Sequence, residues 1–367
     1  MARAPPRLHN RPRLTLQWYL LRQLVVAFLI ALAGTSFVVV PAVLVSAIHK
    51  LGGVELFALL GYVPMLAMNL VSFALPLCFL LAVVATFGRL AQDQEWTAMQ
   101  MAGIHPFKAL LPGLLCACAL SAGTYWMLAN HEPRSTWEQR EYLRDALANA
   151  FRRLAPGRTE LQFGDFYLNS AGRDGPSFVQ AVVQIPARKE GERIVIVADR
   201  VDPWFEGNDL VLRAIRARAV AGKANPRTDQ WVLRVPLSDA YQPRPLNKLQ
   251  ARYLTSAQMT ELLETETVEP DRARKYELEI QRRRALAAVF PMFLLLGAPT
   301  GLWLRRGTLL AALATAVGYA FAYYVLFIRA SKELALHGAV PVPVAAWAVN
   351  VLGLLAGMWM CWRVLRR

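Results

Sequence analysis

Apolar residues in this chain gather into six long uncharged runs, and polar residues fill what lies between. Gln23–Ile48, Leu56–Gly88, Ala109–Asn130, Ala285–Leu304, Gly307–Ile328 and Gly338–Trp362 contain no Asp, Glu, Lys, Arg or His. About 20 apolar residues suffice for a helix to cross a bilayer core. In hydrocarbon the backbone must pair within its own segment, so each run is predicted to be a membrane-spanning helix. Three runs precede a long mixed stretch and three follow it. The predicted architecture is α-helical and membrane-embedded: six transmembrane helices with one extramembrane domain between the third and the fourth.

Within the middle stretch the period changes. Arg134–Leu154 is charged and helix-like. Leu161–Leu168, Phe178–Ile185, Arg193–Asp199, Asp209–Ala219 and Gln230–Val235 are short, rich in β-branched and aromatic residues, and separated by Gly, Pro, Asn and Asp. Such segments read as strands, and Gly207-Asn208 between two of them reads as a hairpin turn. The expected outcome is an all-β domain of the sandwich or jelly-roll kind. Ser256–Glu264 and Pro270–Arg284 are helix-like and lead back to the membrane. The resulting division is 1–131 for spans one to three, 132–276 for the β-domain with its helical flanks, and 277–367 for spans four to six.

Prolines punctuate the spans at Pro41, Pro64, Pro76, Pro291 and Pro299. Each removes one intrahelical donor and bends the helix, as helices lining a changeable cavity would. The first window extended back to Trp18 would run about 45 Å, longer than a bilayer core, so this helix is expected to tilt or to project.

Composition agrees with a membrane class: 55% of residues are hydrophobic and mean hydropathy is +0.30. A net charge of +15 raises the question of nucleic acid, but its distribution answers it. The stretch Glu132–Arg284 holds 26 Lys/Arg against 22 Asp/Glu, so most of the excess sits at the ends of the spans. No nucleic-acid partner is expected. Arg3, Arg7, Arg11 and Arg13 precede the first window, and Arg89 and Lys108 bound the loop between the second and third. Arg305 and Arg306 separate the fourth and fifth, and Arg363, Arg366 and Arg367 follow the last. All of these share one side. By the positive-inside rule that side is cytoplasmic, so both termini lie inside and the β-domain lies outside. The apolar run after the basic start continues to Ile48, far past a signal-peptide core, so an uncleaved first span is expected.

The loop 89–107 carries the only acids of the cytoplasmic face, Asp93 and Glu95. Leu90, Trp96, Met99 and Met101 suit a short helix there, which Gly103 would end. The acids either pair locally with Arg89 or dock a basic pocket of a cytoplasmic partner. At the outer ends of the spans lie Lys50, Arg282, Arg283, Arg284, Arg329 and Lys332. They can snorkel to lipid headgroups or hold the phosphates of an amphiphilic substrate. The four cysteines all fall in predicted spans and the five histidines are scattered singly, so neither a disulfide framework nor a metal site is expected. The sequence has no phosphate-binding Gly-x-x-x-x-Gly-Lys-Ser/Thr loop and no hydrolase signature, so no cofactor and no catalytic activity of its own are expected. Spans almost without ionisable groups argue against ion coupling and suit an apolar or amphiphilic cargo.

Gly88-Arg89-Leu90 followed by Glu95-Trp-Thr-Ala-Met-Gln-Met-Ala-Gly-Ile104 resembles the loop of the YjgP/YjgQ (LptF/LptG) permeases of the lipopolysaccharide exporter. Arg282-Arg283-Arg284 with Pro291, Gly297, Pro299, Gly301 and Arg305-Arg306-Gly307 resembles their fourth span, and Gly338–Asn350 their last. The three-plus-three layout is similar over the whole length. The resemblance implies a permease of an ABC exporter in the bacterial inner membrane, paired with a paralogous permease and a separate cytoplasmic ATPase dimer. Lipopolysaccharide would enter from the outer leaflet and pass to a periplasmic bridge of β-jelly-roll domains. Glu95 falls on the glutamate that the family places in its coupling helix, with Trp96 where a smaller aliphatic residue is common. Lys50 is the leading substrate contact on this reading, because the family's first span lines the cavity gate. The alternatives are an ABC permease for another amphiphile or a lipoprotein, and a membrane receptor or scaffold that does not transport. A requirement for Glu95 separates the transporters from the scaffold.

Overall fold

The computed structural model describes residues 11–50, 56–139, 142, 159–163, 166–175, 177–186, 193–206, 209–220, 227–236, 247, 249–265, 268–304, 309–336 and 340–365. They form two compact units, one comprising Met1–Val38, Asn69–Pro133 and Leu254–Arg367, the other Val39–Met68 and Arg134–Tyr253.

Among the described residues six helices are long and apolar enough to cross a membrane, as the pattern requires. The first two are α1 (Arg11–Lys50) and α2 (Leu56–Gln92). A short helix, α3 (Glu95–Met101), separates them from α4 (Pro106–Trp126), which continues through a π-helical turn at Met127–His131. After the β-domain come α5 (Ser256–Glu264) and α6 (Pro270–Ala287). The bundle ends with α7 (Val289–Trp303), α8 (Leu309–Leu336) and α9 (Val342–Leu365). The fourth span is thus two helices joined at Ala288, where the sequence suggested one run from Ala285. Pro291 lies three residues beyond the break and supplies no N–H to the turn behind it. Asn350 of α9 donates from its side-chain amide to the carbonyl of Ala285, at 2.6 Å, across this break. Such interhelical bonds are a membrane helix's means of satisfying a carbonyl released at a break.

Helix α7 is the hub of the helical unit. Phe290, Phe293 and Val289 are fully buried in its core. Phe79 of α2 meets Phe290 edge-on at 5.6 Å, and Tyr323 of α8 meets Phe293 at 5.4 Å. Small residues permit the approach of its neighbours. A Cβ at Gly301 would lie 2.6 Å from the Val84 carbonyl oxygen and 2.8 Å from the Gly88 nitrogen of α2. One turn earlier, a Cβ at Gly297 would meet Val83 at 2.9 Å. On the other side, Gly353 and Gly357 of α9 are packed against Met292 and Leu295. Each pair is a Gly-x-x-x-Gly, the spacing that puts two glycines on one helix face and lets backbones touch in lipid.

Helix α5 has the extent expected and opens with a capping box: the Thr255 hydroxyl accepts from Gln258 N–H while Gln258 reaches back. Helix α6 continues the fourth span beyond the apolar run, burying Tyr276 and Ile280 on one face and Leu278 on the opposite one. Leu278 packs with Ala335 of α8 and with Val342 and Ala345 of α9.

In the other unit, β1 (Thr159–Phe163), β2 (Phe166–Asp174), β3 (Ser177–Pro186), β4 (Arg193–Glu206), β5 (Asp209–Val220) and β6 (Arg227–Pro236) form one antiparallel sheet in sequential order. The segment expected as one strand, Leu161–Leu168, is two, because Phe163 pairs with Phe166. Glu206 pairs with Asp209, and the expected hairpin residues Gly207 and Asn208 lie outside the described residues. So does most of the expected helix Arg134–Leu154, of which 134–139 and 142 are described, all helical.

A crease crosses this sheet. Gln180 (φ 49°) and Arg216 (φ 51°) sit in left-handed conformations inside strands. Residue pairing lapses between Ala171 and Gln180, Gln180 and Asp199, Asp199 and Arg216, and Arg216 and Asp229, all along one line. The central strands change face as they cross. In β3 the buried positions are Phe178, then Ala181 and Val183; in β4 they are Ile196 and Ala198, then Val201; in β5 they are Val211, Leu212 and Ala214, then Ala217. Bulge-like residues in register bend a sheet without breaking its pairing elsewhere.

Candidate functional site

The loop after the second span is built from α2 outward. Helix α2 runs past its apolar window as far as Gln92, further than the expected loop start at Arg89. The Asp93–Gln94 turn then reverses the chain, with Gln94 in the left-handed region (φ 59°). Glu95 opens α3, where the helix dipole favours a carboxylate. Gly103, at φ 74°, ends the helix as the sequence suggested. His105 then caps α4 by accepting from Phe107 N–H, with Pro106 in the first turn.

Trp96 fixes α3 to the bundle. It is buried, and its ring meets Phe87 of α2 edge-on at 6.2 Å. Glu95 points the other way, toward the first span. The Tyr19 hydroxyl of α1 donates to Glu95 Oε1 at 3.0 Å and lies 3.1 Å from Oε2. Among the described residues neither Asp93 nor Glu95 is within salt-bridge distance of Arg89. Arg89 also reaches the Tyr19 hydroxyl, so the acid and the arginine weighed as a local pair meet through Tyr19 of α1. Asp93 and Arg89 are both exposed. Thr97 and Gln100 of α3, Trp303 at the end of α7, and Trp359 and Arg363 of α9 border a groove of about 700 Å³ at the same end of the bundle. Arg363 stacks over Trp359 at 5.3 Å.

At the opposite ends of the helices the six basic residues separate into different roles. Arg283 is only 5% exposed. It donates to the Leu254 carbonyl at 3.0 Å and to Ser256 Oγ at 3.4 Å, and pairs with Glu279 at 3.3 Å. Arg283 is therefore a clamp holding the entry of α5 onto α6, not an open cation. Arg282, one residue back, pairs with Glu279 at 3.6 Å and lies over the Phe327 ring of α8 at 5.7 Å. That contact brings it to the helix that carries Arg329 and Lys332, both exposed. Arg284 is exposed as well. Lys50 is the last residue of α1, and its side chain lies outside the described residues.

Between the two ends the bundle is lined by uncharged groups. Sequence reasoning passed over Tyr19 and Arg22, because both fall just before the first uncharged window. The signal available was their place four residues and one residue short of an apolar helix of unusual length. Spans differ sharply in coverage. The fourth has 78% of its most apolar window buried, the first only 6% and the fifth 24%. Much of α1 and α8 thus presents apolar side chains such as Phe37 and Phe321 outward.

The family model described as lipopolysaccharide export system permease LptF/LptG matches residues 18–363. No curated protein matches the chain.

Proposed function

The chain belongs to the LptF/LptG family of lipopolysaccharide export permeases, and from that premise we propose that it is the driven half of a lipid extractor. As a family member it is a multi-pass inner-membrane component of lipopolysaccharide export, a transport subunit and not a catalyst. In the proposed mechanism a cytoplasmic ATPase dimer grips α3 around Asp93 and Glu95. Its closure pulls on α1 through the Tyr19–Glu95 contact and on α2 through Trp96. Lipopolysaccharide sits in a cavity that this chain forms with a paralogous permease, and the outward apolar faces of α1 and α8 support such a pairing. Arg282, Arg284, Arg329, Lys332 and Lys50 steady its phosphates at the outer mouth, where a charge-assisted bond is stronger than a neutral one. The creased sheet receives the lipid and continues into a jelly-roll bridge. On this reading both termini are cytoplasmic and the sheet is periplasmic.

The observation that carries the proposal is the family match over nearly the whole chain, joined to Glu95 at the first turn of a loop helix tied to two spans. The test is copurification. Glu95→Lys is expected to lose the ATPase while the two permeases remain paired. Retention of a full complement of ATPase by that variant would remove Glu95 from the coupling surface.

A further inference from the structure

A second groove, of about 480 Å³, opens between α1 and α2 at the same end of the bundle as α3. Its walls change character with depth. Arg22, Val26 and Ile30 follow one another at four-residue spacing on α1 and all line it. They therefore form one stripe about 12 Å long, with the cation at the membrane surface and the apolar residues deeper. Across the groove α2 repeats the order, with Arg89 at the surface and Ala85 one turn below. Val26 and Ile30 are 48% and 68% exposed, so the apolar floor lacks cover within this chain.

Gln23 and Thr86 also line the groove, with the Thr86 hydroxyl and the Gln23 side-chain oxygen turned away from its open space. Arg22 has no carboxylate within salt-bridge distance among the described residues, and the nearby Glu95 is occupied by Tyr19. Two exposed arginines over an apolar channel match an anionic headgroup and an acyl chain in that order.

We infer that this groove is a binding site for an anionic glycerophospholipid, of the phosphatidylglycerol type, seated in the leaflet that faces α3. Arg22 and Arg89 take the phosphate, and one acyl chain runs along Val26 and Ile30. The bound lipid bridges α1 to α2 beside the Tyr19–Glu95 contact. The site depends neither on the transport reading nor on which leaflet that end occupies.

The test uses the full chain with its copurifying subunits, in phosphatidylcholine nanodiscs doped with phosphatidylglycerol carrying an acyl-chain diazirine. Photolysis and peptide mapping are expected to place the label at Val26, Ile30 and Ala85. Unlabelled phosphatidylglycerol should compete and phosphatidylcholine should not. Each of Arg22→Gln and Arg89→Gln is expected to lower labelling roughly tenfold, the loss of one charge-assisted contact. Lys108→Gln, at an exposed cation outside the groove, should leave it unchanged. Uniform labelling of all lipid-facing helices, equal competition by phosphatidylcholine, or wild-type labelling of the arginine variants would overturn the site. So would a partner subunit's peptide crosslinked in the lipid's place. Stronger competition by lipopolysaccharide than by phosphatidylglycerol would make the groove part of the transport route and overturn the phospholipid assignment.

Discussion

Two neighbouring arginines show how far a residue's role departs from its letter. Arg283 and Arg284 stand side by side in a basic run, yet one is buried with every contact inside the fold and the other is exposed. Removing Arg283 strands the Leu254 carbonyl and leaves Glu279 with a weaker partner. Arg283→Met is therefore expected to cost about 2–4 kcal/mol and to lower the thermal midpoint of the purified protein. Arg284→Gln should stay within about 0.5 kcal/mol of wild type. Equal midpoints for the two variants would refute the clamp. Tyr19 offers the complementary case, since it does little for packing and makes a link. Tyr19→Phe removes only the hydroxyl that reaches Glu95. The expected result is unchanged assembly with the ATPase but a severalfold loss of lipid-stimulated ATP hydrolysis, measured in nanodiscs. Unaltered stimulation would show that α3 communicates through Trp96 alone. From the sequence, Glu95 was visible as an acid on a basic face. Tyr19 was not, because its partner is 76 residues away.

At the level of elements, long apolar runs were the legible feature and interruptions were the hidden one. A run without charge dictates a helix in lipid whatever its neighbours do. The break at Ala288, the turn at Asp93–Gln94 and the creased strands depend on contacts that no run of letters displays. Strict two-residue alternation fails at Gln180 and Arg216, where each strand switches its buried face. Strand positions were therefore readable and the facing of their side chains was not. Glycine spacing carried a signal that hydropathy alone overlooks, since Gly297/Gly301 and Gly353/Gly357 mark the two approaches to α7. The nearest atoms to a Cβ at Gly301 are backbone, which cannot swing aside. Gly301→Ala is expected to reduce the monodisperse fraction recovered in size-exclusion chromatography, and Gly301→Leu to abolish it. Gly34→Ala has nothing within 4 Å of its new methyl and should be recovered like wild type. Comparable recovery of Gly301→Leu would mean that α2 and α7 do not touch there.

For the molecule as a whole, uneven burial of the spans is the informative quantity. A fourth span mostly enclosed and a first span almost wholly uncovered describe a bundle with an interior and two unfinished sides. Phe37 and Phe321, 83% and 71% exposed, lie on those sides. In a background with the exposed Cys118 changed to Ser, cysteines introduced at Phe37 and Phe321 are expected to react with a lipophilic maleimide in the isolated chain. Coexpression with the paralogous permease should protect them. Equal reactivity with and without that partner would place the dimer contact elsewhere.

The sequence by itself determined the six spans, the inserted β-segments, the family and the acidic loop, because hydrocarbon solvent enforces helices locally and charge placement is a property of the chain. Tertiary structure alone decided that Arg283 is a clamp, that Glu95 is tied to α1, that α7 is the hub, and that Arg22 and Arg89 share a groove. Each of these depends on which side chains meet across distant segments. Helix rotation, glycine contacts and left-handed kinks set those meetings, and they are properties of packing, not of any one window of sequence.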